Sequence, residues 1–359
     1  MDNYSKCKIE QDKIKRILII KMSSVGDIVH SIPFLQSIKS ALPDAEVDWL
    51  LEEEGAELIK GHKDLKKVIV FPKKRWKGML TAGNIKGILK ESKGFLKDLR
   101  SHRYDLVVDL QGLLKSGIMI SIVRGKRKVG FSWAREGSSL FINEGPYRIS
   151  QEQHAIDRYL KALDYLGLAS GNGLPIQLPI SHGDRKKIER YVPKEYLRSK
   201  RLIAINPVAR WKTKCWQKER FSMLSDRIFR ELGYKVIFTG SEEDKKVISD
   251  IKRDMKTDAL DLSGILSLKE AAYLYSRCSI LISPDTGPMH IGAAVGCRVL
   301  ALFGPTDPVR TGPYGDGHLV IRAEVDCSPC FKKNCNDMKC MEGIYVDMVF
   351  EGIRELLKF

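Results

Sequence analysis

Apolar positions along this chain switch between two spacings, and the switches mark its elements. Residues 16–21 (Arg-Ile-Leu-Ile-Ile-Lys) form a short β-branched run, which predicts a strand buried in a parallel sheet. A small-residue loop over 22–27 follows. Over 28–41 the apolar residues recur at helical spacing until Pro43 stops them. Further strands are predicted at 45–51, 68–71 and 105–110, the last leading into a helix over 113–123. Strands alternating with helices describe βαβ units and a doubly wound sheet.

The pattern then resets. A helix over 154–166 runs into a Gly- and Pro-rich stretch, 167–179, which is the candidate linker. Strands at 201–206, 235–239, 260–262, 279–283 and 298–303, with helices between them, repeat the architecture of the first half. The expectation is an α/β chain of two Rossmann-like, doubly wound lobes facing a central cleft. The first lobe spans 1–175 and the second 176–345. A C-terminal helix over 346–359 is free to pack back on the first lobe. At 359 residues the chain exceeds the size at which one core stops growing, which fits two lobes. Ligands are expected at the carboxyl ends of the strands.

Composition narrows the partners. No stretch approaches the roughly 20 apolar residues of a membrane span. Residues 1–15 lack the apolar core of a signal peptide. A cytoplasmic protein is therefore expected, its eight cysteines being thiols or metal ligands. The net charge of +16 is unevenly placed: residues 60–103 hold 14 Lys/Arg against Asp64, Glu91 and Asp98, a local +11. A basic face of that size implies an anionic partner. Nucleic acid, acidic lipid and a phosphorylated or carboxylated sugar all qualify. A basic nucleic-acid-binding protein is the non-enzyme alternative, but the chain has no aromatic-and-basic ladder and no known nucleic-acid module.

Six constellations carry candidate chemistry. Ser23-Ser24-Val25-Gly26-Asp27 lies between a strand end and a helix start. Local context reads Asp27 first as a helix cap, and second as a carboxylate able to accept a proton from an attacking hydroxyl. The loop is not Gly-x-Gly-x-x-Gly, which disfavours a nicotinamide dehydrogenase. Asp285-Thr286-Gly287-Pro288-Met289-His290 opens a helix after a strand, where free N–H groups and the helix dipole attract phosphate. Gly304-Pro305-Thr306-Asp307-Pro308 makes a stiff loop after the next strand. Arg210, Lys212 and Lys214 follow the first strand of the second lobe and could neutralise a diphosphate. Glu242, in Gly240-Ser241-Glu242-Glu243-Asp244, follows the strand 235–239 at a point where an acid can accept ribose hydroxyls, or simply start a solvated helix. Cys327, Cys330, Cys335 and Cys340 are spaced closely enough for a structural zinc or iron–sulfur site, or for an unmetallated thiol cluster.

Two of these motifs occur together in a recognisable way. Ser-Ser-x-Gly-Asp-x-x-His-x-x-Pro early, with Asp-Thr-Gly-x-x-His and Gly-Pro-Thr-Asp-Pro late, resembles glycosyltransferase family 9, the ADP-heptose:lipopolysaccharide heptosyltransferases, over roughly 15–341. Arg75-Trp76-Lys77, Gln111-Gly112-Leu113-Leu114-Lys115-Ser116, Ala134-Arg135-Glu136 and His154-Ala155-Ile156-Asp157-Arg158 resemble its type I branch, which adds the first heptose to the Kdo of lipid A. Heptosyltransferase II and other family 9 ADP-sugar transferases differ from that branch in acceptor.

The resemblance implies a GT-B fold and an inverting, metal-independent transfer from ADP-heptose. It implies Asp27 as general base. Lys214, Glu242, Asp285, Thr286, Gly287 and His290 are then the donor-binding residues. Lys74, Arg75, Lys77, Gln111, Lys115 and Arg135 are the acceptor-binding ones. It further implies a Kdo-lipid A acceptor, peripheral contact with the cytoplasmic face of the inner membrane, a monomer, no nucleic-acid partner and no catalytic cofactor. Gly78 stands where the type I branch usually has another cation, and lysines replace part of its arginine cluster.

Overall fold

The computed structural model describes residues 9–132, 135–144, 147, 149–150, 152–169, 175–199 and 201–358. Ala134 of the type I-like segment lies outside the described residues, as does 170–174 of the candidate linker. The chain divides into two compact units, Met1–Pro179 and Ile180–Phe359.

The first unit is built on five parallel strands: β1 (Arg16–Ile20), β2 (Glu46–Glu52), β3 (Lys67–Phe71), β4 (Arg103–Asp109) and β5 (Arg124–Val129). Their order is β3-β2-β1-β4-β5. Ile17 to Ile20 of β1 are fully buried because a central strand is covered on both faces. β5 reads Arg-Gly-Lys-Arg-Lys-Val, and no apolar run announces it. It forms as the edge partner of β4, where solvent accepts its cations. Lys126 reaches Asp105 at 2.6 Å, and Arg127 reaches Glu144 at 2.8 Å.

The basic stretch folds into two helices that apolar spacing did not predict, Lys73–Thr81 and Ile85–Leu99. An aromatic trio anchors them. Phe71 of β3, Trp76 and Phe95 meet edge-on with centroids 5.3–5.9 Å apart. The Trp76 indole donates to Glu91 at 3.0 Å, tying one helix to the other.

The second unit carries six parallel strands: β6 (Leu202–Ile205), β7 (Lys235–Phe238), β8 (Leu260–Asp261), β9 (Ile280–Pro284), β10 (Arg298–Leu302) and β11 (Leu319–Ile321). Their order is β11-β10-β9-β6-β7-β8. Counted from its own first strand, this repeats the order of the first unit with one strand added. β11 is three residues long, too short for a period to show.

The division between the units falls a few residues from its expected place. The Pro175 carbonyl accepts from the Gln36 amide at 3.0 Å, and the Gln177 N–H donates back to Gln36 at 3.3 Å. These bonds hold residues 175–177 to the first unit, so the division falls after Pro179, not after 175. The C-terminal helix, Val346–Lys358, belongs to the second unit's own core. It buries Val349, Phe350, Ile353 and Leu356 against β10, β11 and the helix Lys218–Arg227.

In each unit the strand order reverses beside the first strand, between β1 and β4 and between β6 and β9. That reversal is where open α/β sheets bind ligands.

Candidate functional site

At the β1/β4 reversal the helix Val25–Ala41 begins. Its N-cap is Ser24, and Asp27 stands at the third helical position. Local sequence reads Asp27 as the cap; the structure gives that place to Ser24. One Asp27 oxygen, Oδ2, accepts the Ser24 N–H at 3.1 Å and the Ser24 hydroxyl at 2.9 Å. The other, Oδ1, accepts the Tyr159 hydroxyl at 3.0 Å and lies 3.3 Å from Lys21 Nζ. Burial alone would raise the Asp27 carboxyl. Lys21, Ser24 and Tyr159 outweigh it and hold the pKa at about 2. Burial also lowers the Lys21 ammonium, against the opposing pull of Asp27. Although Lys21 is sealed in, 39% of the Asp27 side chain stays open. Asp27 is thus an ionised carboxylate with part of its surface open.

The facing loop leaves β4. Asp109 accepts the N–H groups of Gln111 (2.8 Å) and Gly112 (3.1 Å) and the Ser116 hydroxyl (2.9 Å). Burial nevertheless lifts its pKa to about 6. Gly112 has φ +63°, and a Cβ there would fall 2.4 Å from the Phe131 ring. Gln111 Oε1 accepts the N–H groups of Met22 (3.0 Å) and Ser23 (3.1 Å), stitching the β1 loop to the β4 loop. Lys115 adds a third stitch, 2.7 Å from both the Ser23 hydroxyl and Glu52.

A cavity of about 200 Å³ opens between these loops. Asp27, Gln111 and Arg135, all expected from sequence, line it together with Lys21, Arg158 and Tyr159, which were not. Three cations thus surround one carboxylate, a setting that draws an anionic ligand to a proton acceptor. Lys21 was legible only as a charge ending an apolar strand. Arg158 and Tyr159 come from the helix Ala155–Leu166, whose first turns carry the type I-like segment ending at Arg158, although nothing in it pointed to a role for either residue. Their link to Asp27 spans more than 130 residues.

Lys74, Arg75 and Lys77 do not line this cavity. Lys74 pairs with Glu54, Arg75 with Glu91 at 2.9 Å, and Lys77 is exposed. Arg75 borders a second cavity, of about 390 Å³, beside Glu53, Glu91 and Asp98. Those three acids reduce its attraction for an anion.

In the second unit, at the β6/β9 reversal, Lys214 Nζ lies 2.6 Å from Asp285 Oδ2 and donates to the Asp285 carbonyl at 3.3 Å. It also sits 4.6 Å above the Trp211 ring. His290 Nε2 is 3.9 Å from Asp285 Oδ1. Thr286 is the N-cap of the helix Gly287–Ala294, so its hydroxyl and the Gly287 N–H stand at a positive helix end. Four of the expected donor residues therefore gather with Lys214. Glu242 is separately placed, 69% exposed and paired with Lys245 at 2.8 Å, as a solvated helix start would be. Gly264 at φ +67° makes room for it, since a Cβ there would fall 2.3 Å from Glu242 Oε2.

The cysteine segment is fastened to this same region, and burial together with the nearby Cys327, Cys330 and Cys335 thiols pushes the Cys340 thiol up. Among the described residues, no group of three or more His, Cys, Asp or Glu side chains is arranged to hold a metal ion. Cys327 and Cys335 are exposed, Cys330 is half-buried and Cys340 is buried. The backbone N–H groups of Cys330 and Phe331 instead donate to the Pro305 carbonyl at 3.0 and 2.8 Å. The Lys332 carbonyl accepts from Thr213 at 2.9 Å. The segment thereby braces the Gly304-Pro305 loop and the turn carrying Lys214.

Two parallel-sheet units with loop sites at their strand reversals define an α/β glycosyltransferase fold of the GT-B class. The family model for glycosyltransferase family 9 (heptosyltransferase) matches residues 93–341, and the chain belongs to that family. It is 30% identical over 327 residues to lipopolysaccharide heptosyltransferase 1 of Pseudomonas aeruginosa, covering 89% of this chain and 87% of that one. Among solved structures it resembles the E. coli heptosyltransferase WaaC with ADP, with a TM-score of 0.76 and 25% identity over 95% of this chain and 99% of that one. The fold is also shared with a family 9 glycosyl transferase from Veillonella parvula, TM-score 0.78, 24% identity, covering 96% of this chain and 97% of that one.

Proposed function

We propose that this glycosyltransferase moves heptose from ADP-L-glycero-D-manno-heptose to the Kdo of a lipid A inner core, the type I reaction of lipopolysaccharide core assembly. The observation that carries this reading is the Asp27 cavity: one ionised carboxylate among Lys21, Arg135 and Arg158. Kdo is a carboxylated sugar bearing hydroxyls, so a pocket of cations around a base matches it. The name and similarity of the Pseudomonas relative support the type I acceptor.

In this reading Asp27 takes the proton from the acceptor hydroxyl as that oxygen attacks the anomeric carbon. The carbon inverts and ADP leaves. Lys214, the Thr286–Gly287 helix start and His290 stabilise the diphosphate, so the step requires no divalent metal. Glu242 takes the nucleoside hydroxyls. Lys74, Arg75, Lys77, Gln111, Lys115 and Arg135 serve the acceptor, with Gln111 and Lys115 acting by holding the Ser23 loop. The protein acts as a monomer at the cytoplasmic face of the inner membrane.

ADP release with ADP-heptose and Kdo₂-lipid A tests this directly, against an acceptor already carrying the first heptose. Turnover is expected with the former alone, and chelation is expected to leave it unchanged. Release only with the heptosylated acceptor would assign a later step of core assembly.

A further inference from the structure

The helix Ile85–Leu99 leaves three large apolar side chains in solvent. Ile85 is 59% exposed, Leu89 58% and Leu96 37%. Their spacings of four and seven residues place them within about 40° of one another around the helix. Phe95 and Leu99, on the adjoining stripe, face the unit, Leu99 buried and Phe95 packed on Phe71 and Trp76, and Ile88 between them is half-buried. Next to the exposed apolar stripe, on its other side, run Lys86, Lys90, Lys93 and Lys97, all exposed. The two acids of this helix are already engaged, Glu91 by Arg75 at 2.9 Å and Asp98 by Lys67 at 2.6 Å. The helix therefore shows three stripes: one buried, one apolar in water, one cationic.

A single exposed leucine is ordinary on a protein surface; an aligned stripe bordered by four lysines is not. That arrangement has the chemistry of a helix lying in a lipid interface, its apolar side chains among the acyl chains and its lysines reaching to phosphates. No helix among the described residues is long and apolar enough to cross a bilayer, so contact of this kind lies along the surface.

We propose that the Ile85–Leu99 helix is a docking face for an anionic lipid bilayer, with Ile85, Leu89 and Leu96 inserted and the four lysines paired with headgroup phosphates. It deepens the membrane-borne acceptor proposed above and rests on that reading for its role, whereas lipid binding is measured without donor or acceptor. The charge complementarity is specific to anionic headgroups, so a neutral bilayer is bound through the apolar stripe alone.

The test is sedimentation of the full chain with phosphatidylcholine vesicles, with and without phosphatidylglycerol. The wild type is expected to partition onto the anionic vesicles, less so as salt rises. The I85S/L89S/L96S variant and the K86Q/K90Q/K93Q/K97Q variant should each bind at least about 10-fold more weakly with unchanged thermal midpoints, since all seven side chains face water. Only the apolar variant should lose binding that persists in high salt. Transfer to a detergent-dispersed acceptor should be unaffected by either variant, and transfer to the same acceptor in vesicles should fall. Wild-type protein that ignores anionic vesicles, or variants that bind them as well as wild type, overturns the proposal. So does an apolar variant that converts a dimer to monomer without changing vesicle binding, which would make the face a contact between copies. If vesicle binding behaves as expected while no heptose is transferred, the docking face stands and the proposed reaction fails.

Discussion

Asp27 sits in a network that keeps it charged. On the proposed reading, replacing it with Asn preserves its shape and an oxygen for Ser24 but removes the base, so the rate should fall by roughly 10²–10⁴; the thermal midpoint should fall as well, because buried Lys21 loses its counter-charge. Turnover of the folded variant at the wild-type level would remove Asp27 from the chemistry. Tyr159 touches the carboxylate without reacting. The Tyr159→Phe variant loses the 3.0 Å bond that helps hold Asp27 near 2. Its carboxyl pKa should rise, shifting the acid limb of kcat/KM to higher pH. A role confined to packing would leave that limb where it is. Lys214 is set against Asp285 and Trp211. On the proposed reading, changing it to Met should raise the KM for donor and lower kcat, because the charge developing on ADP would lose a cation.

At the scale of elements, the β4 loop stores a buried carboxyl. Asp109 is 2% exposed and titrates near 6. Its unfolded value is about 3.9, so between those values the folded state binds the extra proton and stability falls as pH rises from about 4 to 6. The drop should be on the order of 3 kcal/mol at 1.4 kcal/mol per unit. Asn at 109 still accepts from Gln111 and Gly112, so D109N should flatten that part of the urea-midpoint profile. Asp27 acts in the opposite sense and elsewhere: its depressed pKa stabilises above about 4 and that contribution is lost as pH falls toward 2. The two carboxyls are therefore separable by pH. Legibility also divides by element. β1 and β9 announced themselves through buried apolar runs. β5 did not, because an edge strand with its cations in water has no apolar period to show.

Across the whole molecule, each unit holds its own core, and the second depends on its last helix. Deleting 346–359 removes Val349, Phe350, Ile353 and Leu356 from that core, each side chain worth about 1.5–3 kcal/mol when fully buried. The loss is comparable with the whole stability of a typical domain. The truncated chain is expected to lose the second unit's unfolding transition in calorimetry. If ADP binds the second unit as proposed, the truncated chain should also lose the stabilisation expected from ADP, about 2.7 kcal/mol at about 100 Kd.

By itself the sequence determined the alternation of strand and helix, the reset that makes two units, and the two motifs that mark family 9. Those features are local or periodic, and a linear chain displays them. It also singled out Asp27, Gln111 and Arg135, which line one cavity, and gathered Asp285 to His290 at one strand end. Tertiary structure alone decided that Tyr159, Arg158 and Lys21 complete the Asp27 cavity, and that Glu91 and Glu54 occupy Arg75 and Lys74. It alone gave the cysteine segment its brace on Pro305. A residue's charge can be read from its letter. Its partner, pKa and access to water depend on which distant elements the fold packs beside it.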